Sequence, residues 1–264
     1  MEHMLAKVLG CKRMDLYLMF DRPLSEGELA PLRDLLKKRG QRVPLQHLLG
    51  TVEFLGPEFV CDARGLIARP ETEDLVVEAV RRAKALPAPL RVLDIGAGSG
   101  VIGLSLAAEL GDHVEVVVMV DASADALALT EENRQKLGLS DTQVVVGESD
   151  LLSGDVVSRF APYDVILSNP PYIPSGEIPG LQAEVHADPV MALDGGADGL
   201  DLVRRILESA LGVLKPHGFV GLELGAGQAG QVEQIAIDQG LAETAIIGDM
   251  TGIDRFVFAS RLQA

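Results

Sequence analysis

Leu93-Asp94-Ile95-Gly96-Ala97-Gly98-Ser99-Gly100-Val101-Ile102-Gly103 is the segment from which the fold class follows. Residues 91–95 form an apolar, β-branched run, and 101–109 carry apolar residues at helical spacing, so the chain passes from strand to helix through a glycine-rich loop. Glycine belongs at such a junction because the backbone must turn tightly and approach a ligand with no Cβ atoms in the way. Outward from the loop the alternation repeats. Strands are expected at 115–120, 143–146, 164–168, 219–224, 245–247 and 255–259, with a helix at 124–137. Successive strand-helix-strand units demand a parallel sheet wound by right-handed crossovers, so the fold class is α/β.

Upstream the pattern differs. Residues 1 to about 40 read as helical, with Leu29, Leu32, Leu35 and Leu36 on one face and Lys37, Lys38 and Arg39 before Gly40 as a C-terminal signal. Strand-like pieces at 51–55 and 58–61 flank the turn residues Gly56-Pro57, and Pro70-Glu71-Thr72-Glu73 opens a helix to about residue 86. The expected division is a helical N-terminal domain at 1–43, a β-hairpin linker at 44–68 and an α/β domain at 69–264.

Composition narrows the function classes. With 264 residues, 47% hydrophobic and 23% charged, the chain is neither disordered nor fibrous. The balance of 23 basic against 39 acidic residues gives a net charge of -16, which opposes direct nucleic-acid binding. Cys11 and Cys61 are isolated and the five histidines scattered, so no metal site or disulfide is expected. Without a membrane-length apolar run or a leader-like start, the expected compartment is the cytoplasm.

The glycine loop alone admits two ligands. Gly98, Gly100 and Gly103 satisfy the Gly-x-Gly-x-x-Gly dinucleotide pattern, and Asp121 lies about 20 residues beyond, so an NAD-type reading stays open. Asp121 is expected at the carboxyl end of the second strand, to accept ribose hydroxyls at roughly 1.5–3 kcal/mol for each charge-assisted bond. Its alternative role is to cap the helix beginning near Ser123. Asp150 follows the third strand, at a position suited to adenine contact.

Asn169-Pro170-Pro171-Tyr172, at the end of the 164–168 strand, separates these readings. Two prolines remove two donors and lock φ, presenting the neighbouring side chain and carbonyl rigidly, and a plain turn has no need of Asn before them or Tyr after. The arrangement suits methyl transfer to a planar nitrogen, whose delocalised lone pair makes it a poor nucleophile. The Asn169 side-chain oxygen and the Pro170 carbonyl accept its N–H groups, and Tyr172 covers the planar group. A dehydrogenase or a non-catalytic binding module leaves this tetrad unexplained.

The glycine loop, Asp121 and this tetrad resemble class I S-adenosylmethionine-dependent methyltransferases acting on adenine, cytosine or glutamine amino groups. Further stretches are similar to HemK-type peptide chain release factor glutamine methyltransferases: residues 42–50 (RVPLQHLLG), Glu53-Phe54-Leu55-Gly56, Arg69-Pro70-Glu71-Thr72-Glu73 and residues 188–200 (DPVMALDGGADGL). The resemblance runs from about residue 15 to the C-terminus. It implies a Rossmann-like seven-stranded methyltransferase domain with an antiparallel last strand, a small helical N-terminal domain and a hairpin linker. The implied activity is methylation of the side-chain amide of the Gly-Gly-Gln glutamine in release factors. By the same resemblance Gly96, Ala97, Gly98, Ser99 and Gly100 wrap the methionine part of S-adenosylmethionine, Asp121 takes the ribose, and Asp150 and Leu151 the adenine. Asn169, Pro170, Pro171 and Tyr172 receive the glutamine, Asn169 also touching the donor, while Arg69 and Glu73 lie at the mouth. Three residues depart from the family pattern: Ala97 for threonine, Leu151 for an aromatic and Asp188 for glutamate; the helical N-terminus is also shorter. Ribosomal-protein glutamine methylation is the nearest alternative, and adenine-N6 methylation of nucleic acid runs against the charge. A monomer is expected.

Overall fold

The computed structural model describes residues 1–262; Gln263 and Ala264, the end of the expected 69–264 domain, lie outside the described residues. All seven strands expected in that domain form a single sheet: β3 (Leu90–Ile95), β4 (Val114–Asp121), β5 (Val144–Glu148), β6 (Tyr163–Ser168), β7 (Leu214–Glu223), β8 (Ala242–Gly248) and β9 (Asp254–Ser260). Their order is β5-β4-β3-β6-β7-β9-β8. Strands β3 to β7 pair in parallel and β9 runs antiparallel to both β7 and β8. From β3 the chain winds outward through β4 and β5, then returns to the other side with β6 and β7, so the order reverses between β3 and β6. A crevice opens at the carboxyl ends of the strands at such a switch point. The register pairs Ile95 with Ser168, which sets the Gly96 loop and Asn169 side by side.

Helices cover both faces, which is why the central strands read as nearly continuous apolar runs. On one face Val92, Val117 and Met119 pack with α4 (Pro70–Ala83) and α5 (Val101–Leu110); on the other Leu93, Ile166 and Val220 pack with α8 (Asp201–Val213) and α9 (Ala229–Asp238). Gly103 serves this packing. A Cβ there would stand 2.8 Å from the Met119 side chain, so glycine lets α5 close down on β4.

The N-terminal helices α1 (Glu2–Leu9), α2 (Glu26–Gly40) and α3 (Leu45–Leu49) gather around Met4, Leu32 and Leu48. Ser25 and Glu28 form the capping box that starts α2, the Ser25 N–H donating to Glu28 Oε2 at 2.8 Å. Helix α3 falls inside the stretch assigned to the linker, yet Leu45, Leu48 and Leu49 pack into the helical cluster. The helical module therefore extends through residue 49 rather than ending at 43, because three apolar side chains on one turn bury against α1 and α2. The hairpin is shorter than expected, with β1 (Thr51–Glu53) and β2 (Glu58–Val60), since Leu55 and Gly56 take positive φ in the turn.

Asn133, on α6 (Ala124–Lys136), fastens this hairpin to the α/β domain. Fully buried, it accepts the Val60 N–H at 2.6 Å and donates to Val60 O at 3.1 Å and Ser99 O at 2.8 Å. Replacing Asn133 with Leu leaves three main-chain groups without partners, each costing about 1–3 kcal/mol when buried. A loss of about 3 kcal/mol or more in urea unfolding is expected; a midpoint unchanged from wild type would show that water replaces the amide.

Candidate active site

Gly96, Gly98 and Gly100 take φ of 72°, 58° and 85°, a backbone region that side chains disfavour. The Gly96 and Ala97 N–H groups donate to Val120 O at 2.8 and 2.9 Å, drawing the loop over the end of β4. There Asp121 Oδ2 accepts the Gly98 N–H at 2.9 Å and Oδ1 accepts the Ser123 N–H at 2.9 Å. Helix α6 is capped by Ser123, whose hydroxyl accepts the Ala126 N–H, and not by Asp121. Asp121 instead braces the loop, with each carboxylate oxygen retaining acceptor capacity.

Loop and strand ends enclose a chamber of about 510 Å³, in the size range of small-molecule sites. Gly96, Ala97, Gly98, Ser99, Asp121, Asp150, Leu151 and Asn169 line it. Gly100 does not. It is the buried N-cap of α5, where a Cβ would meet Leu104 Cδ1 at 2.9 Å, so its requirement for glycine comes from packing and φ. The Asp150 carboxylate turns outward to Arg205 at 2.7 Å. Leu151 holds φ of 53°, its carbonyl accepting the Ser149 hydroxyl at 2.7 Å.

Beneath the loop lies Asp94, wholly buried, one oxygen accepting the Gly103 N–H at 2.9 Å and the other without a partner. Burial, with the charge of Asp121 adding to it, pushes its pKa from the ordinary 3.8 to about 7. The folded chain therefore holds a proton that the unfolded chain releases, and stability falls as pH rises from about 4 to about 7. At about 1.4 kcal/mol per unit this approaches 4 kcal/mol. Asp94→Asn is expected to flatten the decline in melting temperature between pH 5 and pH 8; an unchanged decline would mean that Asp94 is ionised in the fold.

A second, smaller recess of about 230 Å³ adjoins the chamber, and Leu66, Arg69, Asn169 and Ala192 form walls of both. Asn169 thus stands where the two cavities meet. Its Nδ2 donates to Thr72 Oγ1 at 3.4 Å. Pro171 lines the chamber and Tyr172 the recess, whereas Pro170, between them in the chain, is buried and lines neither. Burial raises the Tyr172 phenol above its ordinary value. Its carbonyl accepts from Gln228 Nε2 at 3.0 Å. Arg69 pairs with Asp188 at 2.7 Å, and Asp188, its side chain fully enclosed, also accepts the Ile67 N–H, fixing the 66–69 wall. Glu73 is placed elsewhere: its carboxylate accepts the Leu55 N–H at 3.0 Å and lines neither cavity.

Two residues of the site went unread in the sequence. Thr72 shares the motif in which Glu73 drew attention, and Glu223 ends β7, buried beside Thr72 and Asn169. The signal for Glu223 is a lone carboxylate within the apolar run 219–224. Among the described residues no cluster of three potential metal ligands occurs, and no helix is long and apolar enough to cross a membrane.

Comparison with known proteins agrees with this geometry. The PrmC N-terminal domain family matches residues 1–50 and the methyltransferase small domain family residues 74–183. A release factor glutamine methyltransferase from Geobacter sulfurreducens is 43% identical over 97% of this chain and 87% of that protein. One from Clostridium acetobutylicum is 37% identical over 98% and 89%. Among solved structures, the human Mettl16 catalytic domain in complex with the MAT2A 3'UTR hairpin 6 superposes with a TM-score of 0.62 over 92% of this chain and 95% of that one. At 15% identity that likeness shows the fold alone. With such identity sustained across almost the whole length, on a seven-stranded sheet whose switch point carries the glycine loop and Asn169, the chain belongs to the release factor glutamine methyltransferase family.

Proposed function

We propose that the larger chamber binds S-adenosylmethionine and that the recess receives the glutamine side chain of the Gly-Gly-Gln motif of peptide chain release factors, whose amide nitrogen takes the methyl group. The observation that carries this reading is the meeting of the two cavities at Asn169. The chamber fits the donor: positive-φ glycines leave room for close approach of its methionine part, Asp121 offers free acceptor positions to the ribose hydroxyls, and Asp150 and Leu151 stand at the adenine end. When bound, this donor supplies an electrophilic methyl group on a sulfonium that departs as a neutral thioether.

The protein's part is to position the nucleophile. Asn169 Oδ1, where the two cavities meet, accepts an amide N–H and turns the nitrogen lone pair toward the chamber, while Pro170, buried behind the walls, holds the Asn169 backbone in place. Tyr172 and Arg69, which line the recess, confine the amide plane. In-line placement of this kind is worth up to roughly 7–11 kcal/mol of barrier. The nitrogen loses its proton after methyl transfer, when it has become acidic, so no strong base is required. The N-terminal helices dock the protein substrate, and the enzyme works as a cytoplasmic monomer without direct nucleic-acid contact, in keeping with its net charge of -16.

The test is mass spectrometry of a release factor incubated with this protein and S-adenosylmethionine, beside a Gly-Gly-Ala variant. One added methyl on the glutamine, absent from the variant, is expected. No gain, with donor binding established separately, would overturn the substrate and direct the search to ribosomal-protein glutamines.

A further inference from the structure

Asn169 acts on the glutamine only if its amide oxygen, and not its nitrogen, faces the recess. The two ends of an amide are nearly isosteric, so a neighbour must set the orientation. Ser168 on β6 pairs with Leu222 on β7, which brings Asn169 and Glu223 next to one another one step beyond. Glu223 is 2% exposed. It faces the Thr72 hydroxyl and the Asn169 amide, and its Oε2 has no hydrogen-bond partner. A buried carboxyl with spare acceptor capacity behind the amide that orients the nucleophile is costly as scaffolding alone.

We propose that Glu223 is the positioning residue for Asn169: with Thr72 it forms an acceptor-rich floor that draws the Asn169 nitrogen inward and turns its oxygen toward the glutamine. Thr72 serves as the link, taking the Asn169 N–H on its oxygen and giving its own hydroxyl hydrogen to the carboxylate. A flipped amide would set its oxygen against the carboxylate, and that repulsion excludes the unproductive rotamer. The role rests on the substrate reading above.

Protonation weakens such a floor. Burial pushes Glu223 up to about 7, with Glu71 on α4 adding to the rise and Thr72, Arg255 on β9 and Asn169 opposing it; the charge of Glu223 in turn helps raise the Tyr172 phenol. The acceptor strength of Glu223 is present above about 7 and declines as pH falls through it.

The experiment is single-turnover methylation of a release factor at saturating donor from about pH 5.5 to 8.5, with wild type, Glu223→Gln and Thr72→Val. Glu223→Gln is expected to slow transfer about tenfold at pH 8 with donor affinity and KM unchanged, and to lose the fall in rate that wild type shows below pH 7. Thr72→Val should reproduce the slowing. A Glu223→Gln enzyme with the wild-type rate, or a slowed one that keeps the wild-type pH profile, overturns the proposal. Independently of turnover, the Asn169 side-chain amide resonance, assigned by its loss in Asn169→Ala, should titrate near pH 7 in wild type and not in Glu223→Gln. A wild-type resonance that does not titrate also overturns it. Failure of wild type to methylate would instead refute the substrate reading, while the amide titration still decides the role of Glu223.

Discussion

Asn169→Ala is expected to reduce the rate of methyl transfer by about 10²–10³-fold, the range seen when one polar group aimed at a reacting centre is deleted. The residue stands at the junction of the donor chamber and the recess, and its inward nitrogen is held by Thr72. Removing the amide leaves the glutamine nitrogen free to rotate out of line with the donor. Donor affinity should stay close to wild type, because the glycine loop and Asp121 are untouched. Single-turnover rates at saturating donor, with calorimetric donor titration alongside, separate the two effects. A variant that methylates at the wild-type rate would reduce Asn169 to a wall residue.

Asp121→Ala is expected to raise the donor dissociation constant by about 100-fold or more. Two charge-assisted bonds to ribose hydroxyls at roughly 1.5–3 kcal/mol each account for that magnitude, at about 1.4 kcal/mol per factor of ten. The same carboxylate braces Gly98 and Ser123, so the alanine also slackens the loop. Asp121→Asn keeps the shape and loses the charge, and a smaller rise is expected. Equal titration curves for wild type and Asp121→Ala would leave the carboxylate as a brace with no part in binding the donor.

Seven strands and the helices at 70–86, 101–109 and 124–137 were legible because strand and helix periodicities are local, and the apolar runs of a doubly covered parallel sheet are long enough to stand out; α8 and α9, which cover the other face, were not among the expected elements. Boundaries were harder. Strand β7 begins at Leu214 and not at 219, since Leu214 pairs with Tyr163 before an irregularity that spans Lys215-Pro216-His217, a segment with a proline that reads as a stop. Helix α4 shows the limit for site residues. Arg69 and Thr72 stand one turn apart and face the cavities, while Glu73, one residue on, is rotated toward the hairpin and Leu55. The motif announces a functional helix without announcing its phase.

The chain alone revealed the succession of seven strands, the helices at 70–86, 101–109 and 124–137, the glycine loop and the proline-locked tetrad, because each follows from residues near one another. It also carried the family likeness, and with it the reaction. Which groups support that machinery follows from tertiary packing. Arg69 meets Asp188 across 119 positions and Val60 meets Asn133 across 73. Burial that raises Asp94 and Glu223 to about 7 depends on what packs around them from several elements. Desolvation and contact between distant residues are properties of the assembled core, and no local pattern records them.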